Sequence, residues 1–211
     1  MTETKEYKSP IRFACVCASN VNRSMAAHKI LAKKGYNVSS YGTNSQVSIP
    51  GPEKPNYYDF GTTYKEIVAS LKEQEAKSDT NFYQTHGLIE MIERDCGIKE
   101  KPEKFTSIFE STTLKYFDII FTYQKRIVME KVINDFHMHG NVSFELCHVI
   151  NIETKDDNQN ALESANYTLR LAQKLTEVVM QKKDLTEEIE GIIQQLCAEE
   201  NFPLSYHAVA Y

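Results

Sequence analysis

The sequence predicts a three-layer α/β fold with a mostly parallel central sheet of about five strands flanked by helices, and three observations carry that reading. Short apolar runs without alternation stand at Arg12 to Cys17 (RFACVC), Asp118 to Tyr123 (DIIFTY) and Leu146 to Ile152 (LCHVINI), as strands buried on both faces require. Helix-period stretches lie between them and supply the crossovers that parallel strands need. The first run leads straight into Cys17-Ala-Ser-Asn-Val-Asn-Arg-Ser24, and an amphipathic run follows that segment.

The elements follow in order. Arg12 to Cys17 is strand one. From Asn22 to Lys34 the apolar positions Met25, Ala26, Ile30 and Leu31 fall at helical spacing, and Gly35 stands where a helix C-cap belongs. Asn37 to Tyr41 alternates as a strand and ends at Gly42, completing a right-handed β-α-β unit. Residues 43 to 61 hold Pro50, Pro52 and Pro55 and read as a surface loop beside the first one, hence a substrate wall. Thr62 to Lys77 and Thr80 to Cys96 read as two amphipathic helices, so that 62–97 forms a helical insertion capping the sheet. Asp118 to Tyr123, Lys125 to Met138 and Leu146 to Ile152 continue the alternation as strand, helix and strand. Asn158 to Lys183 and Leu185 to Glu199 are long helical patterns, and Ser205 to Tyr211 alternates as an edge strand.

Composition narrows the class. At 211 residues the chain suits one domain, 1–211, that buries roughly 70% of the surface its unfolded form exposes. A net charge of -5 gives no whole-molecule field for direct nucleic-acid binding. No apolar run is long enough to span a membrane, and the first ten residues, MTETKEYKSP, lack a signal-peptide pattern, so a soluble intracellular protein is expected. Five cysteines without a C-x-x-C repeat argue for reduced thiols and against a disulfide framework or zinc site.

The chemistry sits in the first loop. A cysteine and an arginine separated by five residues, between a strand and a helix, describe a phosphate-binding loop that contains a nucleophile. The thiolate is the reactive form, so the loop must favour the anion with backbone N–H groups, a helix N-terminus and a guanidinium. Cys17 is the candidate nucleophile, Arg23 the phosphate-binding fork and Ser24 a hydroxyl donor to the sulfur. Ala18, Ser19, Asn20, Val21 and Asn22 form the loop, with the asparagines suited to its tight curvature. Phosphoryl transfer also needs a proton donor for the leaving alkoxide, and a carboxylate after the strand Leu146 to Ile152 lies on the same sheet edge. Asp156 is the first choice and Asp157 the neighbouring one. No metal and no cofactor is needed.

Several stretches carry a resemblance: VCASNVNRSMAAHKIL, GYNVSSYGT, KPNYYDFGTTY, HGLIEMIER, PEKF, FDIIFT, and HVINI followed by an acidic loop. Over the chain up to about Ala161 they resemble the cysteine phosphatases that act on the C-terminal repeat domain of RNA polymerase II within mRNA 3′-end processing. The likeness fades over the last part of the chain. It implies a fold like the low-molecular-weight tyrosine phosphatases with added capping helices. It also implies a nuclear, metal-independent protein serine phosphatase working through a cysteinyl-phosphate. The implied substrate is phosphoserine followed by a cis proline, the fifth position of Tyr-Ser-Pro-Thr-Ser-Pro-Ser, with walls from Thr43, Pro50, Tyr83, Leu88 and Met91. A symplekin-like scaffold subunit of the cleavage and polyadenylation complex is the implied partner. A prolyl isomerase would cooperate by supplying the minority cis bond. Three features depart from the family pattern: Pro50 to Pro55 is about two residues short, the acidic loop reads Lys155-Asp-Asp-Asn158, which leaves Asp157 as the alternative acid, and Gln124-Lys-Arg126 replaces a more acidic segment. Two other functions use the same residues: a low-molecular-weight tyrosine phosphatase-like enzyme, and a phosphopeptide-binding scaffold without turnover.

Overall fold

The computed structural model describes residues 7–110, 116–139, 145–200 and 202–210. Tyr211, expected to end the last strand, lies outside the described residues. The strands are β1 (Arg12–Cys17), β2 (Asn37–Gly42), β3 (Val47–Ile49), β4 (Asn56–Tyr58), β5 (Ile119–Thr122), β6 (Leu146–Ile152) and β7 (Leu204–Ala210). Five of them form one sheet in the order β2-β1-β5-β6-β7, parallel except for the antiparallel edge strand β7. The three apolar runs therefore occupy its interior, where both faces are covered.

Alternation along β1 sets the layers. Phe13, Cys15 and Cys17 point to one face, where they pack with α1 (Arg23–Lys33), α7 (Asn158–Met180) and α8 (Leu185–Glu200). Ala14 and Val16 point to the other, against Phe105, Ile108, Phe136 and the helix α6 (Glu130–His139). Each large side chain so buried contributes about 1.5–3 kcal/mol. A third cluster joins Met25 of α1 to β3 and to α2 (Tyr64–Ser78), α3 (Phe82–Thr85) and α4 (Leu88–Cys96), at the carboxyl end of the sheet. A short helix, α5 (Ser107–Glu110), precedes β5.

Three expectations are corrected. Residues 43 to 61 hold the antiparallel hairpin β3-β4, whose Val47 and Ile49 are fully buried; a three-residue alternation is too short to stand out in sequence. Thr80 to Cys96 is two helices, because Gly87 takes φ +66 and the chain turns there. The helix after β5 opens with a π-helical turn at Lys125–Met129 before α6 begins.

Candidate active site

The parallel pairing of β1 with β2 and β5 brings the Cys17 loop to the carboxyl edge of the sheet. There the loop is held from outside through its carbonyl groups. The Cys17 oxygen accepts from Thr43 N at 3.0 Å and the Ala18 oxygen from Asn44 N at 3.0 Å. The Asn20 oxygen accepts from the Tyr64 hydroxyl at 2.6 Å, and the Val21 oxygen accepts from Arg94 Nη2 at 2.9 Å. In a planar trans peptide the following N–H points the opposite way, so these bonds turn the amides of Ala18, Ser19, Val21 and Asn22 inward. Asn20 takes φ +56, a left-handed conformation that asparagine tolerates. The first turn of α1 carries no carboxylate, which leaves its N-terminus receptive to an anion.

A directed chain of hydrogen bonds reaches the sulfur. The backbone N–H of Glu103 donates to Asn20 Oδ1 at 3.0 Å, which assigns the other amide atom as Nδ2. That nitrogen donates to Ser24 Oγ at 3.0 Å, and Ser24 Oγ lies 3.1 Å from Cys17 Sγ. Accepting from Asn20, the serine hydroxyl keeps its own proton free to be given to the sulfur. Cys15, on the same strand face, is fully buried, and burial pushes its thiol up to about 12, the mark of a packed core thiol.

Arg23 and Asp156 meet over this loop. Arg23 Nη2 lies 3.1 Å from Asp156 Oδ2, and Nη1 donates to the Thr154 carbonyl at 3.1 Å. Asn22 Nδ2 donates to the second carboxylate oxygen at 3.1 Å. Arg23 is buried and its Nε has no hydrogen-bond partner. Asp157 serves another purpose, since its side chain caps α7 through Asn160 N at 2.8 Å and Asn160 Nδ2 at 2.7 Å. Those bonds hold its carboxyl below the usual carboxylate range.

Cys17 opens into a cavity of about 440 Å³. Ser19, Val21 and Asn22 of the loop line it on one side, and Asp156 to Gln159 on another. Its apolar wall is built from Ile49, Pro50, Phe82, Leu88 and Met91. Of the residues the resemblance implies as walls, Pro50, Leu88 and Met91 line the cavity. Thr43 and Tyr83 do not line the cavity: Thr43 is buried behind the loop, and the Tyr83 hydroxyl is spent between Asn56 and Gln74. Phe82 and His86 take the place expected of Tyr83, since the break at Gly87 turns α3 to present them. Nothing local to the sequence marks them.

The segment Lys99 to Lys104 buttresses the loop from behind. Lys99 Nζ donates to the Ser40 carbonyl at 2.6 Å and to Glu103 at 2.8 Å, and its side chain is largely buried. Tyr64, Arg94 and Glu103 therefore support the loop without any motif of their own. Among the described residues, no group of three or more His, Cys, Asp or Glu side chains converges to hold a metal ion.

Comparison with known proteins fits this geometry. The Ssu72-like protein family matches residues 11–211. The RNA polymerase II C-terminal domain phosphatase ssup-72 of Caenorhabditis elegans is 39% identical over 201 residues, covering 94% of both chains. Its SSU72 counterpart in Candida glabrata is 42% identical over 176 residues, covering 82% of this chain and 81% of its own. The crystal structure of D. melanogaster Ssu72 with Symplekin, bound to a cis peptidomimetic of the C-terminal domain phosphorylated on its fifth-position serine, has a TM-score of 0.82 at 32% identity. It covers 96% of this chain and 100% of that one. The chain carrying this loop, this sheet and this cavity belongs to the Ssu72 family.

Proposed function

We propose that this chain is a cysteine-dependent protein serine phosphatase that removes phosphate from phosphoserine-proline in the RNA polymerase II C-terminal repeat. The observation that carries the reading is the convergence of Cys17, Ser24, Arg23 and Asp156 at one end of an apolar-walled cavity. The named relatives are phosphatases of that domain, and one is solved with a cis peptidomimetic phosphorylated on the fifth-position serine.

In this mechanism the Cys17 thiolate attacks phosphorus and the serine oxygen leaves with the proton of Asp156. An S–P bond forms as the P–O bond breaks. The inward amides and Arg23 hold the phosphoryl oxygens, and the Ser24 hydroxyl supports the sulfur before and after it is displaced. Asp156, now a carboxylate, takes a proton from water as that water attacks phosphorus. Inorganic phosphate and the thiolate are released. Asp156 suits both steps because its side chain is 60% exposed at the cavity edge while Arg23 and Asn22 orient it. The remaining apolar wall, Pro50, Leu88 and Met91 with Phe82, receives the proline ring.

The same kinship supports a nuclear site of action beside the transcription machinery and a symplekin-like scaffold as partner, with a prolyl isomerase feeding the cis substrate. No helix among the described residues is long and apolar enough to cross a membrane.

The test compares wild type with Cys17→Ser on heptad peptides phosphorylated at the second, fifth or seventh serine and on phosphotyrosine, reading phosphate release. Wild type should release phosphate fastest from the fifth position, and Cys17→Ser should bind that peptide without releasing any. No release from any Ser-Pro peptide by wild type would overturn the reading.

A further inference from the structure

The last turn of α4 carries an ion pair that faces the back of the phosphate loop. Arg94 Nη2 donates to the Val21 carbonyl at 2.9 Å and reaches the Asn22 carbonyl at 3.4 Å. Its Nε and Nη2 also meet Asp95 Oδ1, at 2.8 and 2.7 Å. Asp95 is fully buried and its Oδ2 has no hydrogen-bond partner. Taking a carboxylate so far out of water is unfavourable unless the cation beside it is held firmly, and here the other contacts of that cation are the two loop carbonyls. Burial pushes the carboxyl of Asp95 up, and the Arg94 guanidinium beside it opposes that rise.

We propose that Arg94 is a positioning residue for the phosphate loop: it pins the Val21 carbonyl outward, so that the amide of Asn22 faces the phosphate, while the Asn22 carbonyl is held mainly by the Ala26 N–H of α1. The inference rests on the phosphatase reading of the Cys17 loop. Arg94 does not line the cavity that holds Cys17; it lines a smaller hollow with Lys29, Glu90 and Met91. Its effect on phosphate is therefore indirect, through the Val21–Asn22 peptide plane, whose rotation would turn an N–H group away from the anion. A guanidinium serves here where an ammonium would not, because its fork grips Asp95 and the loop with fixed relative directions. The same helix presents Leu88 and Met91 to the cavity, so one rigid element fixes both the wall and the loop.

Two variants test the role. Arg94→Met combined with Asp95→Asn removes both charges together and leaves no stranded carboxylate. Arg94→Lys keeps a charge beside Asp95 but only a single-point donor. Each is measured for kcat and KM on a Ser-Pro phosphopeptide and on p-nitrophenyl phosphate, for tungstate binding by calorimetry, and for thermal midpoint. The double variant should lose roughly 10- to 100-fold in kcat on both esters and about tenfold in tungstate affinity, with Arg94→Lys in between. Wild-type kcat and tungstate affinity in a folded double variant would overturn the proposal. So would a loss confined to the peptide, which would make Arg94 a peptide contact. Should the double variant not fold, Arg94→Lys decides: wild-type kcat and tungstate affinity overturn the role. Inactivity of wild type on both esters would instead overturn the phosphatase reading, and tungstate affinity would still decide the role of Arg94.

Discussion

Asn20 Nδ2 donates to Ser24 Oγ at 3.0 Å, and the direction of that bond is set from outside the loop by the Glu103 N–H on Asn20 Oδ1. Asn20→Asp is nearly isosteric but cannot donate to Ser24, and it adds a negative charge beside the sulfur. We expect kcat on p-nitrophenyl phosphate to fall roughly 10²-fold, the scale of losing one oriented donor. Steady-state kinetics at neutral pH check this; a fall under threefold would show that the chain from Glu103 to Cys17 does not set the sulfur's hydrogen bonding.

The two adjacent carboxylates should separate cleanly. Asp156→Asn keeps the shape that Arg23 and Asn22 hold but has no proton to give, and should slow peptide turnover by roughly 10²- to 10⁴-fold. Asp157→Ala removes the cap of α7 and should lower stability by about 1 kcal/mol with a far smaller effect on turnover. Urea melts and turnover of both variants decide it, and a larger kinetic loss at Asp157 would reverse the assignment.

Gly42 pairs with Cys17 across β1-β2, and a Cβ there would stand 2.8 Å from the Ala18 carbonyl and 2.9 Å from the Phe60 ring. Backbone on one side leaves little room to yield. Gly42→Ala should cost about 1–3 kcal/mol and also weaken tungstate binding, because the displaced carbonyl belongs to the phosphate loop. Calorimetry would distinguish this from a purely global loss.

Phe82→Ala opens the apolar wall next to His86. The KM for a Ser-Pro phosphopeptide should rise roughly tenfold, the value of part of a buried aromatic. p-Nitrophenyl phosphate lacks a proline to pack there, so its KM should change much less. Equal changes on both substrates would place Phe82 outside the peptide site.

His28 of α1 faces β2, its Nδ1 2.8 Å from Ser40 Oγ. Burial, aided by the positive charge of Lys99, lowers its pKa from 6.5 to about 4. The unfolded chain therefore takes up a proton below pH 6.5 that the folded chain refuses until about pH 4, so this residue's contribution to stability falls as pH falls through that window. Buried Asp95 shifts the other way, so the comparison must be between wild type and His28→Gln. From about pH 7 to about pH 5 the wild type should lose about 2 kcal/mol relative to the variant, read from urea melts. Parallel pH dependences would show that His28 does not titrate this way.

The length and apolar content of Arg12 to Cys17, Asp118 to Tyr123 and Leu146 to Ile152 are local properties, and local properties determined the central strands, the crossover helices and hence the fold class. The spacing of Cys17, Arg23 and Ser24 is local as well, since one loop and one helical turn bring them together. Everything that surrounds them depends on contacts between distant residues. Asp156 and Asp157 are neighbours with the same chemistry, and only the entry into α7 decides that one caps the helix while the other meets Arg23. Tyr83 and Phe82 are adjacent aromatics, and only the turn at Gly87 decides which faces the cavity. Cys17-x5-Arg23 by itself determined that a thiolate and a guanidinium share a phosphate-sized loop. Which way its peptide planes turn was decided by Thr43, Asn44, Tyr64 and Arg94, because a carbonyl is oriented by the donor it finds, and these donors arrive from other parts of the fold.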